Sequence, residues 1–197
     1  MELILPKSKK AREKFDRIIT AADNLFYERG YHKASVADIT SAAEVAVGTF
    51  YLYFPDKLSL YHYILFDYQN RIKHYINDRM GNAKSRREKE RVGLMAWLEF
   101  VNNNPHTYGI IWQSIDVDKS LFVDYYKKFS KSYEKGLIKD QDQLIDMDYE
   151  DLSLILMGIS SFLGLKVMLH ERRLSQDEIE SMADSMMKIF YNGLFTL

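Results

Sequence analysis

Between Ser35 and Lys57 the sequence sets out side chains suited to gripping a polyanion. Val47, Gly48 and Thr49 open a short helical stretch with small side chains, so the backbone there can come close to a partner. Amides at a helix N-terminus point outward at anions such as phosphate. Thr49 can donate and accept a hydrogen bond. Tyr51 and Tyr53 are polar-tipped rings on a helix too short to bury both, and their hydroxyls can reach phosphates or base edges. Lys57 adds a positive charge at the start of the next helix. Phe50 and Phe54 are expected to face inward as the local core.

The elements that must position these groups are helices. Prolines fall only at Pro6, Pro55 and Pro105, and apolar residues recur at helical spacing throughout. No segment alternates like a strand, so the fold class expected is all-α, with about nine helices. A first helix is expected from Ala11 to Arg29, striped by Phe15, Ile18, Ile19, Ala22, Leu25 and Phe26, and ended by Gly30. Ser35 and Asp38 form an S-x-x-D capping box for a second helix ending near Glu44. A third runs from Val47 to Tyr53 and is broken by Pro55, and Asp56 can cap a long fourth reaching Met80. The second and third helices are each about two turns, too short to stand alone. The first must hold them, with Ala43-Glu44-Val45-Ala46 as the tight turn between. That is the layout of a helix-turn-helix, whose second helix enters the major groove N-terminus first.

These residues also resemble a known family. Gly30-Tyr31, Ser35-Val36-x-Asp38-Ile39, Val45-x-x-Gly48-Thr49-x-Tyr51-x-Tyr53-Phe54-x-x-Lys57 and Leu60 look like the DNA-binding signature of the tetracycline-repressor (TetR) family, over roughly the first sixty residues. The resemblance implies a helix-turn-helix DNA-binding domain over residues 1–57 and a helical effector-binding and dimerisation domain over 58–197. It assigns DNA contact to Ser35, Val47, Gly48, Thr49, Tyr51, Tyr53 and Lys57. It implies a homodimeric regulator, a repressor, that reads an inverted repeat of double-stranded DNA and is released by a small-molecule effector. The sequence departs from the pattern twice. Glu44 stands where the family has glycine, and Ala46 where a Ser or Thr caps the recognition helix. A small-molecule-binding protein with a degenerate head is the alternative these departures keep open.

The rest of the chain reads as a helical body. Helices are expected at 86–101, 106–113 and 119–138, then at 149–172 and from Ser175 onward, with Asn102-Asn103-Asn104-Pro105 as the clearest break. Trp97, Phe100, Tyr108, Trp112, Phe122, Tyr125, Phe129 and Met157 could line an apolar cavity. With no cluster of charge expected inside the body, the effector is expected to be apolar or aromatic. Leu152–Leu169 is apolar for eighteen residues apart from serines, glycines and Lys166, which is long enough to span a membrane. Those polar residues favour a core or subunit interface instead. Gly158, Ser161 and Gly164 would let another helix approach, and the resemblance implies a four-helix dimer bundle. Leu165 and Met168 complete the expected interface on the 149–172 helix, and Met182, Met186 and Ile189 do so on the last one, in a stripe that also takes in Gly193 and Leu194.

Other chemistries find no support. There is no cysteine, so disulfides, thiolate metal sites and cysteine nucleophiles are excluded. No Walker loop, G-x-G-x-x-G, H-E-x-x-H or G-x-S-x-G occurs, so no enzyme, cofactor or metal is expected. Asp116-x-Asp118-x-Ser120 suggests a calcium loop but has Leu121 and Lys127 where glycine and glutamate are required. Formal net charge is −1, yet Lys7, Lys9, Lys10, Arg12, Lys14 and Arg17 cluster early, against only Glu13 and Asp16. Taken alone that is a solvated tail; beside a helix-turn-helix it is charge where phosphates would lie. The start of the chain shows no secretory pattern, and a cytoplasmic location is expected.

Overall fold

The computed structural model describes residues 6–192, which carry nine α-helices, one 3-10 turn and no strand. Helix α1 (Lys9–Arg29) starts where Ser8 accepts a bond from the Ala11 amide, and it buries Phe15, Ile18, Ala21, Ala22, Leu25 and Phe26. It ends at Gly30, whose φ of +77° is one a side chain rarely adopts. Helix α2 (Val36–Ala42) is started by the Ser35–Asp38 capping box. Helix α3 (Val47–Tyr51) has only five residues, and its N-cap, Ala46, offers no side-chain bond. Asp56 accepts from the Ser59 amide at 2.7 Å at the head of α4 (Lys57–Met80).

The chain divides into two compact units: everything described up to Tyr68 together with Gly109–Val123, and Gln69–Tyr108 together with the chain from Asp124 onward. The first unit therefore extends beyond the 1–57 range expected for the DNA-binding domain. Its core is aromatic. Phe15 stacks on Phe54 at 5.4 Å and meets Tyr53 and Tyr63 edge-on. Helix α1 packs on α2, and α2 on α3. The Tyr61 hydroxyl donates to the Ile110 carbonyl at 2.6 Å, which ties in the 109–123 segment.

The second unit is organised by α5 (Arg86–Asn103), which packs against α8 (Tyr149–Met168) and α9 (Gln176–Asn192). Helix α6 spans Pro105–Val117 and α7 spans Lys119–Lys139. The expected break at 102–105 is narrower than its composition suggests. Asn102 stays in α5, its side chain bonding the Leu174 amide and carbonyl, and Pro105 is the first residue of α6, where a missing N–H is harmless. Helix α8 stops at Met168, short of Arg172, and α9 is described to Asn192; Gly193 and Leu194 lie outside the described residues.

Candidate nucleic-acid interface and interior cavity

In the first unit, the α2–turn–α3 segment is built from α1 outward. Phe50 and Phe54 are fully buried, which leaves the opposite side of α3 exposed. Val47 is 47% and Tyr51 55% exposed. Gly48 and Ser35 are also exposed and Thr49 is half-buried, so these five residues present one polar and apolar surface to solvent. An added Cβ at Gly48 would meet nothing within 4 Å, so internal packing does not require its glycine. Leu52, 64% exposed, follows α3 and was not among the contacts expected from the sequence.

Three of the named residues have structural duties. The Lys57 ammonium donates to the carbonyls of Tyr31 and Ala34, both at 2.8 Å, and lies 4.1 Å from the centre of the Tyr31 ring. Desolvation there pulls its pKa below the ordinary lysine value. Lys57 thus closes the α1–α2 loop with two of its three protons. The half-buried Tyr53 donates to the Ala11 carbonyl at 3.2 Å and packs on Phe15, which anchors the start of α1. Ser35 likewise serves the capping box, and its bonds hold the Asp38 carboxyl below its ordinary pKa.

The turn carries the structure's departure from ideal geometry. Glu44 is the one described non-glycine residue with positive φ, at +52°. Arg17 reaches across from α1 to its carboxylate and carbonyl, each at 3.5 Å. The left-handed backbone explains why glycine suits this position.

In the second unit, a cavity of about 280 Å³ lies among α4, α5, α7 and α8. Trp97, Tyr108, Tyr125, Phe129 and Met157 line it. Phe100, Trp112 and Phe122 do not: Phe100 packs edge-on to Tyr75, and Trp112 and Phe122 pack on each other in the first unit. The expectation of a body without internal charge is also corrected. Arg86, Lys89, Glu90, Lys139 and Asp140 lie in the cavity wall. Arg86 is 6% exposed, and its Nε donates to Glu90 at 2.8 Å. Tyr133 also donates to Glu90; burial first, and then that carboxylate, push its pKa up. Lys89 bonds both oxygens of Asp140 at 2.8 Å, which keeps that carboxyl below its ordinary value. Sequence spacing could not bring residues 86–90 and 139–140 together, because they come from different helices.

The expected dimer face is partly redistributed. Gly164 is buried, and a Cβ there would lie 3.0 Å from the Trp97 indole nitrogen, so its small size serves packing within the subunit. Ser161 lines the cavity, and its carbonyl accepts from the Tyr108 hydroxyl at 2.8 Å. Both point inward because α5 packs against that side of α8. Gly158 faces open space, and Leu165, Met168, Met182 and Met186 are half-exposed, with Ile189 40% exposed. Ile155, Phe162 and Leu169, at 47%, 69% and 70% exposure, continue the stripe of Gly158 and Leu165 at alternating steps of three and four. By length and composition α8 could cross a membrane, and its exposed apolar stripe needs a cover of some kind. Among the described residues, no group of three or more potential ligands could hold a metal ion.

Residues 18–64, which hold most of α1 and all of α2, the turn and α3, match the family described as bacterial regulatory proteins, tetR family. This segment carries the helix-turn-helix of the TetR family. TetR proteins are transcription regulators and not an enzyme class. Over 102 residues, 52% of the chain, it is 24% identical to 47% of the HTH-type transcriptional activator FasR of Mycolicibacterium smegmatis. Over 49 residues, a quarter of each chain, it is 47% identical to the fatty acid metabolism regulator protein of Bacillus subtilis (strain 168). These matches span about half or less of the relatives' own length. The fatty acid degradation regulator FadR from Bacillus halodurans shares the fold, with a TM-score of 0.78 over 98% of this chain and 100% of that one, at 20% identity.

Proposed function

We propose that the whole chain is a TetR-family regulator that binds an inverted-repeat duplex as a homodimer, inserts α3 into the major groove, and lets go when a small molecule fills the interior cavity. The observation that carries this reading is the exposed face of α3. Val47, Gly48, Thr49 and Tyr51 are spared by the core, although two of them are apolar or aromatic. One five-residue helix spans few base pairs, so specific binding calls for two heads about 34–36 Å apart, or a multiple of that. The exposed apolar stripes of α8 and α9 are the surface a second copy would cover. Ser35 and the lysines of α1 then meet the backbone, while Lys57 and Tyr53 hold the unit in shape. Helix α4 runs from the Lys57 strut to the cavity wall at Lys73, Ile76, Asn77 and Met80. An effector that displaces it would change the spacing of the two heads. The fatty-acid regulators among the relatives support an effector with a long apolar part.

Selection of bound sequences from random duplexes tests the reading. Enrichment of one inverted repeat, with affinity falling steeply as salt rises, is the expected result. Binding without any enriched repeat, or no duplex binding, would refute it.

A further inference from the structure

We infer that the cavity takes an unbranched apolar chain with an anionic head, the head at the Arg86–Lys89 end and the tail tip against Trp97. This rests on the reading that the cavity is the effector site. Its shape comes from the helices that line it. On α5 the lining residues run from Arg86 to Trp97, and on α7 from Tyr125 to Lys139, with Asp140 directly after it. At 1.5 Å per residue these rows are about 16 and about 22 Å long. Arg86 lies 3.5 Å from Asp140, so the start of one row meets the end of the other and the two run antiparallel along the cavity. About 280 Å³ drawn out over that length is narrow, and suits a flexible chain better than fused rings.

Polarity then fixes the direction. At the far end the Trp97 indole donates to the Ser160 carbonyl at 2.9 Å and Tyr108 donates to that of Ser161. Those donors are spent, so this end presents ring faces. Gly164 leaves the room that lets Trp97 stand there. The middle is apolar, with Ile76, Leu94 and Leu156 in the wall. At the near end Arg86 and Lys89 are paired with Glu90 and Asp140, and Lys139, exposed at the rim of the wall, leaves one positive charge in excess. An anionic head answers that excess, whether carboxylate or phosphate. Lys73 is a lone rival on α4, and its ammonium lies 5.4 Å from the Phe129 ring centre.

Calorimetric titration of the full chain with saturated alkyl carboxylates, alkyl phosphates and the matching alcohols, over a range of lengths, tests the inference. An anionic head should bind about tenfold more tightly than the alcohol, as a charged hydrogen bond is worth. The carboxylate and phosphate series distinguish which head is preferred. The Lys89→Gln, Lys139→Gln double variant should abolish the preference, and Lys73→Gln should keep it. Trp97→Leu should move the preferred chain to longer members without changing the head preference; Trp97→Phe, a milder change, should move it less. Equal binding of alcohols, loss of preference in Lys73→Gln, an unmoved length optimum in both Trp97 variants, or no binding at any length each overturns the inference. Duplex binding measured on the same preparations separates the two readings. If a repeat is bound but no amphiphile, the inference alone fails; if an amphiphile binds but no repeat is enriched, the regulator reading fails.

Discussion

Replacing Glu44 examines the strain in the turn that aims α3. A non-glycine residue in the left-handed region costs about 1–2 kcal/mol, and Glu44 sits there at φ +52°. Glycine removes that cost but gives back about 0.5–1 kcal/mol as added freedom in the unfolded chain. The Arg17 contact offsets little: at 3.5 Å, with side chains 45% and 84% exposed, such a pair contributes roughly 0–1 kcal/mol. Glu44→Gly should therefore stabilise the protein by about 0–1 kcal/mol, a rise of at most about 4 °C in melting temperature for a chain of this size. Glu44→Asn should do as well or better, because asparagine tolerates this backbone without glycine's entropy. Glu44→Val keeps the strain, adds a β-branch and loses Arg17, so it should melt lower than the parent. The assay is helical circular dichroism against temperature on all four proteins. If both Gly and Asn melt several degrees below the parent, Arg17 and Glu44 hold the turn and the strain argument is wrong. If valine matches glutamate, the positive φ is not the governing factor.

Other consequences follow from the same geometry. Lys57→Met strands the carbonyls of Tyr31 and Ala34 and should cost about 2–3 kcal/mol, measured by denaturant unfolding; an unchanged midpoint would contradict its role as a strut. Gly164→Ala forces Trp97 to move and should cost about 1–3 kcal/mol, with a shifted tryptophan emission; a neutral result would mean that α8 and Trp97 are loosely packed. Glu178, bonded by Arg172 and the Ser175 amide, has its pKa lowered from 4.5 to about 2. Its stabilisation is complete above about 4.5 and is lost as pH falls towards 2. The melting difference between the parent and Glu178→Gln should therefore be constant at neutral pH and close in that acid window; a difference that widens there would refute the assignment.

The sequence revealed most where local rules suffice. The Ser35–Asp38 box, Gly30 at the end of α1 and Asp56 before α4 are short-range signals, and each appears in the fold as an N-cap or a C-cap. The alternation of buried Phe50 and Phe54 with exposed Tyr51 follows from helical periodicity alone. Periodicity says which side is apolar but not which neighbour covers it. That is why Gly164, on an all-round apolar helix, could be assigned to a partner when its partner is Trp97 of the same subunit. It is also why the charged end of the cavity was missed. Local spacing gives the alternating charges around Arg86 and Glu90 the pattern of an exposed helix start, and the acidic run from Asp140 that of a solvated loop. Only the pairing of α5 with the end of α7 places them together. Lys57 shows a subtler limit: its position beside a helix N-terminus was legible, but not that two carbonyls of the preceding loop would take its protons.

The exposed face of α3 is the centre of the account. Its most direct measure is the affinity of the Thr49→Ala, Tyr51→Ala double variant for the selected inverted repeat, compared with a scrambled duplex. Loss of the difference between the two duplexes, with melting temperature and oligomeric state unchanged, is the result predicted. Retention of the parent's preference by the double variant would contradict it.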